Sequence, residues 1–288
     1  IWKVYTYVRR KRSIQNVIKL IMKHLVYKNN WPDSWKMRYS YDLQEVYGEL
    51  KTNGYAYAYR NRFDHTLALC KSTSNQNARV LDVAAGQGNF SLSLAEMGFN
   101  VMWNDIQTDL IEYVKLKYDY GKIKYTPGNI LDLKFDKLFD LILITEVIEH
   151  VAYPNLFLKH IAKLVAPGGN IIMTTPNGHY FGNKLPKFTD YNDPSVFEKN
   201  QFGPDADDHI FALHLDEIYD FGKEAKLEVE DIKFFNNSLT CGHFKLGIIL
   251  KFLPIYFVKL LEKITMKLPL YFRKKLKVQV AVVYHRNN

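Results

Sequence analysis

The stretch LITEVIEHV, residues 143–151, places two carboxylates and an imidazole where an aliphatic run stops. Leu141 to Ile144 are apolar; then come Thr145, Glu146, Glu149 and His150. If a helical turn starts near Glu146, the spacing i, i+3, i+4 puts Glu146, Glu149 and His150 on one face. Three uses follow. An imidazole titrates near neutral pH, so His150 can take a proton from a hydroxyl acceptor. The mixed carboxylate and imidazole set also suits Mn²⁺, Fe²⁺, Co²⁺ or Zn²⁺ better than Mg²⁺. The third use is structural: Glu149 and His150 cap and orient the loop.

A second cluster is VLDVAAGQGNF, residues 80–90, a strand that enters a glycine turn and then a helix. Gly86 and Gly88 let backbone approach a ligand closely, and the helix start offers N–H groups to an anion. Asp105 ends the next apolar run, where a carboxylate can accept two ribose hydroxyls, each bond worth roughly 1.5–3 kcal/mol. A nicotinamide dinucleotide and S-adenosylmethionine both suit this layout. Two residues separate them. Ser91 stands where the third glycine of a dinucleotide turn belongs, and Asp82 lies inside the strand. A carboxylate there repels a pyrophosphate but suits the cationic ammonium and sulfonium of S-adenosylmethionine.

These clusters need a scaffold, and the chain around them supplies one. Apolar runs at 79–84, 100–106, 123–130, 139–145 and 168–177 predict strands, with helical patterns at 90–98, 109–119 and 153–166 between them. Such alternation implies right-handed βαβ units and a parallel sheet. Two late strands follow at 227–235 and 277–285, the second antiparallel near the sheet's edge. Between them, residues 236–276 form an insertion. Within it Phe257, Leu260, Leu261, Ile264 and Leu268 keep helical spacing, Lys259, Lys263 and Lys267 flank them, and Pro254 and Pro269 bound the segment. This predicts a basic amphipathic helix with an interfacial or substrate-covering role. Residues 13–27 predict another helix, lined by Ile14, Val17, Ile18, Ile21 and Leu25.

With LDVAAGQG, Asp105, GNILDL (128–133), FDLILITEVIEHV and LVAPGGNIIMTTPN in place, the sequence resembles the class I S-adenosylmethionine-dependent methyltransferases. The resemblance covers roughly residues 60–235 and the last strand. It implies an α/β, Rossmann-like, mostly parallel sheet of seven strands in the order 3-2-1-4-5-7-6. The last strand would be antiparallel, with helices on both faces. It implies donor contacts from Asp82, Ala84, Gly86, Gln87, Gly88, Asp105, Ile106, Asn129, Ile130 and Glu146. Ala84 departs from the pattern, because many members carry glycine there. The E-V-I-E-H-V segment is similar to that of small-molecule O-methyltransferases, including those acting on quinone precursors. In that branch His150, with Glu149 and His209, would serve catalysis on the acceptor side. RNA 3′-end 2′-O-methyltransferases show a similar E-x-x-E-H with a further histidine downstream. That alternative gives a metal set of Glu146, Glu149, His150 and His209, with His179 and His214 as other candidates.

Residues 176–218 form a long loop rich in proline, aspartate, asparagine and aromatics, which such a length makes functional more often than not. Its part up to residue 213 is expected as an acceptor lid, with Asp208 and His209 reaching towards the site. No N-P-P-[YF] or D-P-P-[YF] follows the fourth strand, and no Pro-Cys pair occurs, which argues against amino methylation of bases and C5-cytosine chemistry.

The chain has 288 residues and a net charge of +9. Residues 1–40 carry ten Lys and Arg against Asp33, and residues 241–288 carry ten against Glu262. Each end is therefore +9, and the middle is −9. Basic ends suit an anionic membrane surface more than nucleic acid here, or form solvated faces. Cys70 and Cys241 lack metal or redox spacing, and no apolar run reaches the length of a membrane span. The expectation is a cytoplasmic enzyme with peripheral membrane contact. It comprises a basic helical extension over 1–59 and a methyltransferase domain over 60–288, with a lid at 176–213 and an insertion at 236–276. The acceptor would be a small molecule, lipid-linked or saccharide. A noncatalytic S-adenosylmethionine-binding subunit is the nonenzymatic alternative.

Overall fold

The computed structural model describes residues 22–47, 54–201, 209–241, 250 and 253–288. Its centre is a seven-stranded sheet: β1 (Arg79–Val83), β2 (Asn100–Trp103), β3 (Lys122–Tyr125), β4 (Phe139–Thr145), β5 (Val165–Pro176), β6 (Glu228–Asn237) and β7 (Lys277–His285). The order is β3-β2-β1-β4-β5-β7-β6, as the resemblance implied. The first five strands pair in parallel, and β7 runs antiparallel to both β5 and β6. β7 is thus not the edge strand. It lies between two neighbours and is buried along nearly its whole length, which explains its continuous VAVVY run.

β4 shows how the sequence fixes two layers. Its residues alternate faces, and both faces are covered. Leu141 and Leu143 pack with Phe63, Leu67, Phe90 and Leu94, which come from α2 (Gly54–Thr73) and α3 (Asn89–Glu96). Ile142 and Ile144 pack with Phe157 and Ile161 of α5 (Pro154–Ala162), and with Phe221 of α6 (Leu215–Glu224). Burying each such side chain contributes about 1.5–3 kcal/mol. α4 (Leu110–Lys117) covers the β1–β2–β3 side through Leu110 and Val114.

Two expectations change, and the helix expected between Pro254 and Pro269 is present. The helix expected over 13–27 lies outside the described residues up to 21, and residues 22–27 are not helical. α2 spans residues 54–73 and so crosses the expected division at 59/60. Ahead of it, α1 (Asp33–Asp42) runs into a π-helical turn, Leu43–Tyr47, that faces the sheet's carboxyl edge. The insertion contains α7 (Ile255–Thr265) and α8 (Leu270–Leu276), divided at Pro269. Among the described residues, no helix is long and apolar enough to cross a membrane.

Candidate functional site

A cleft of about 1190 Å³ opens at the carboxyl ends of β1, β2, β4 and β5. Open α/β sheets bind ligands there, because the strand order reverses and the helices diverge.

The β1–α3 turn forms one end of the cleft. Ala84, Gly86 and Gly88 all have left-handed backbones, with φ of 52°, 52° and 74°. A Cβ on Gly88 would meet Val114 at 2.8 Å, so this glycine lets α4 pack against the turn. A Cβ on Gly86 would meet no atom within 4 Å, so this glycine opens the turn's backbone to the cleft. Ala84, Gly86, Gln87, Asp105, Ile106, Asn129 and Ile130 all line the cleft. Asp105 accepts from the Gly86 amide at 2.7 Å and the Gln107 amide at 2.8 Å. These bonds aim its carboxylate at the cleft, and burial raises its pKa.

Asp82 and Gly88 are not among the lining residues. Asp82 is fully buried behind the turn, where its Oδ2 accepts from the Ser91 hydroxyl at 2.6 Å. Its Oδ1 has no hydrogen-bond partner, and burial pushes its pKa up to about 7. From there Asp82 supports the turn from beneath. Ser91, which marked the departure from a dinucleotide turn, is the residue that holds it.

The segment expected as a basic extension builds a wall of this cleft. Met37, Arg38, Tyr41, Glu45, Tyr55 and Tyr59 line it, and Arg62 further along α2 joins them. A buried network secures them. Lys117 donates to Asp42 at 2.8 Å and to Asn89 at 2.6 Å; Tyr113 donates to the same Asp42 carboxylate at 2.7 Å. Glu45 accepts from Gln87 at 2.7 Å, which ties the π-helical turn to the glycine turn. Sequence reading assigned none of these residues a role. The available signal was Asp42 and Glu45 standing in a segment otherwise dominated by bases and aromatics.

The other end of the cleft holds the residues of the opening question, in a different arrangement from the one expected. Glu146 has φ of 55°, and a single 3₁₀ turn, Ile148–His150, follows it. The three groups therefore do not share one helical face. Glu146 is engaged on all sides: Arg62 pairs with it at 3.0 Å, Gln279 donates at 2.5 Å and Thr174 donates at 2.9 Å. Glu149 turns inward and is fully buried. Its Oε2 accepts from Thr175 at 3.0 Å, and its Oε1 makes no hydrogen bond. Burial raises the Glu149 pKa well above its ordinary value, and Glu146 adds to the rise. His150 lines the cleft, as does His209, whose Nε2 lies 3.8 Å from Glu149 Oε1. The two rings stand edge to face, 4.9 Å apart.

The residue after His209 anchors this part of the lid: the Ile210 amide donates to the Glu149 carbonyl at 2.8 Å. Asp208 lies outside the described residues. Ligand atoms of Glu149, His150 and His209 lie within 4.8 Å of one another, so these three can hold a metal ion. Glu146 is not part of that set. His179 and His214 form a separate cluster with Asp216. There His179 Nε2 accepts from the Leu215 amide at 3.1 Å, at the start of α6. Arg62 and Gln279 were missed by sequence reading, because they are 84 residues before and 133 residues after Glu146. Arg62 Nε is buried without a hydrogen-bond partner.

Comparison with known proteins adds to this geometry. A family described as a methyltransferase domain matches residues 55–232. A ubiquinone biosynthesis O-methyltransferase of Rickettsia akari is 37% identical over 100 residues, 34% of this chain and 40% of that protein. The chain thus matches less than half of that relative's length. The Rickettsia prowazekii protein of the same name is 27% identical over 202 residues, 65% of this chain and 73% of its own. Among solved structures, the magnesium protoporphyrin IX methyltransferase of Synechocystis, with SAH bound, superposes with a TM-score of 0.53 at 13% identity. It covers 88% of this chain and 94% of its own, and that likeness concerns the fold.

Proposed function

Because this chain belongs to the methyltransferase-domain family, matched over residues 55–232, we propose that it methylates an oxygen of a small, amphiphilic molecule, with S-adenosylmethionine as donor. One observation carries the reading. A single cleft has a ribose-type carboxylate and a left-handed glycine turn at one end, and an imidazole at the other.

The residues present fit the donor. Asp105 would accept the ribose hydroxyls, and Ile106, Asn129 and Ile130 would border the base. Gly86 and Gln87 would line the methionine portion. Arg62, with its unpartnered buried Nε, suits the donor's carboxylate. Bound there, the donor supplies a methyl group on a positively charged sulfur. The chain's own work is alignment and proton handling. His150 would accept the hydroxyl proton at a ring nitrogen as the methyl passes from sulfur to the acceptor oxygen, the carbon–sulfur bond breaking and its electron pair staying on the neutral thioether. Glu146, fixed by Arg62, Gln279 and Thr174, holds the β4 end in its left-handed conformation and so sets where His150 stands. The names of the relatives support a quinone-like acceptor.

A second reading rests on the Glu149 oxygen that is buried without a hydrogen bond. With His150 and His209 it would hold a divalent cation of the Mn²⁺, Fe²⁺ or Zn²⁺ type. The acceptor oxygen would then meet the cation's site rather than a bare imidazole. The RNA ribose methyltransferase alternative counts Glu146 as a fourth ligand, and here Glu146 pairs with Arg62 instead. Transfer of labelled methyl from S-adenosylmethionine into fractionated extract, with and without chelator, tests both. Label in the lipid fraction that ignores chelator supports the first reading. Label that disappears with chelator and returns with Mn²⁺ supports the second. No label in any fraction, with donor still bound, would defeat both and leave a noncatalytic binding subunit.

A further inference from the structure

The insertion before β7 packs in an unexpected sense. Sequence spacing placed Phe257, Leu260, Leu261, Ile264 and Leu268 on the apolar face of a helix, the face that normally packs inward. In the structure Phe257, Leu260 and Ile264 point outward, at 52%, 36% and 54% exposure, and Tyr256 joins them, while Leu261 and Leu268 are half-buried. The inward face is largely polar. Glu262 is buried and accepts from the Asn236 amide at 3.0 Å and the Asn237 amide at 2.9 Å. Lys277 pairs with Glu262 at 2.8 Å and donates to Thr265 at 2.7 Å. Among the described residues of α7, Val258 is the one fully buried apolar group on that face.

α8 continues the outer surface with Leu270, Tyr271 and Phe272, all at least half exposed. Bases border it: Lys259, Lys263, Lys267 and Lys275 are exposed along the two helices. Buried polar bonds therefore hold an apolar surface rimmed by lysine in solvent. That inversion costs the protein an exposed hydrophobic patch, which a monomer rarely keeps without a use.

We infer that the α7–α8 surface docks on an anionic lipid bilayer, apolar side chains in the acyl boundary and lysines at the headgroups. Aromatic and aliphatic groups beside a row of bases match the two halves of such an interface. The position matches too. The Asn177 side chain, at the cleft, donates to the Lys274 carbonyl at 2.6 Å, and the Phe181 amide donates to the Lys275 carbonyl at 3.0 Å. α8 thus borders the acceptor end of the cleft, through Tyr180 and the exposed Phe181. An amphiphilic acceptor could pass from the bilayer to His150 without crossing water. This step rests on the methyltransferase reading, but the docking itself does not.

Flotation of the full chain with vesicles tests the docking without any methyl acceptor, so its failure leaves the donor site untouched. With vesicles of about one-third phosphatidylglycerol in phosphatidylcholine, at low ionic strength, the protein should float. With phosphatidylcholine alone, binding should fall at least tenfold. Phe257→Glu combined with Phe272→Glu should also lose at least tenfold of the anionic-vesicle binding, with melting temperature and SAH affinity unchanged. Should that variant fail to fold, Lys263→Glu combined with Lys275→Glu carries the same expectation. Wild type that stays in the soluble fraction overturns the inference, as does a folded variant that floats like wild type. A wild-type dimer that becomes monomeric in the Phe257→Glu, Phe272→Glu variant also overturns it, because a second copy then covers the surface.

Discussion

The two ends of the cleft are built by opposite means. At the donor end, backbone geometry and short-range bonds do the positioning: Gly86 and Gln107 amides aim Asp105, and Ser91 holds Asp82. At the acceptor end, side chains far apart in sequence converge on Glu146. Each end also keeps a buried oxygen without a hydrogen bond, Asp82 Oδ1 beneath the glycine turn and Glu149 Oε1 beside the histidines. The ends differ in reach: the Asp105 carboxylate is set by its own turn and strand end, the Glu146 carboxylate by α2 and β7.

If that contrast is correct, damage at each end separates binding from turnover. The largest effect belongs to His150→Ala. Loss of a positioned proton acceptor should lower turnover by about 10²–10⁴-fold. SAH affinity, read by calorimetry, should stay within error of wild type. A matching fall in donor affinity would erase the distinction between the two ends. Asp105→Ala should do the reverse, weakening donor binding by about tenfold or more through lost ribose bonds. Unchanged affinity would remove Asp105 from the donor site.

The same contrast explains what the sequence made legible. VLDVAAGQG and WND are contiguous, so the spacing of Gly86, Gly88 and Asp105 carries their geometry. β4 and β7 were legible to the residue at both ends, because continuous burial demands continuous apolar sequence. The partners of Glu146 were not legible. No periodicity links Arg62 in α2 to Gln279 in β7; only the folded sheet brings them together. The α7 inversion was hidden for a related reason. Helical spacing identifies an apolar face but not which face docks, and here Lys277 and two backbone amides chose the polar one.

Asp82 sharpens the donor side through pH. Burial lifts its folded-state pKa from the ordinary 3.8 to about 7. Between those values the folded protein holds a proton that the unfolded chain has lost. Stability from this group therefore falls as pH rises through the window, and stays lost above it. Asp82→Asn removes that titration while its amide oxygen can still accept from Ser91. Melting temperature measured from about pH 5 to about pH 8 should fall less in the variant than in wild type. Parallel curves would mean that Asp82 stays ionised in the folded state.

The smallest effect concerns Ala84, where the family resemblance led us to expect glycine. Its φ of 52° lies in the left-handed region. An L-residue there costs roughly 1–2 kcal/mol, while glycine gives up about 0.5–1 kcal/mol of unfolded-state entropy on folding. Ala84→Gly should thus stabilise the protein by about 0.5 kcal/mol, read from chemical denaturation. Donor affinity should hold, because the backbone already occupies the conformation that glycine prefers. A destabilised Ala84→Gly would show that the Ala84 methyl packs usefully in the cleft wall, and the donor end would then depend on side-chain contacts as the acceptor end does.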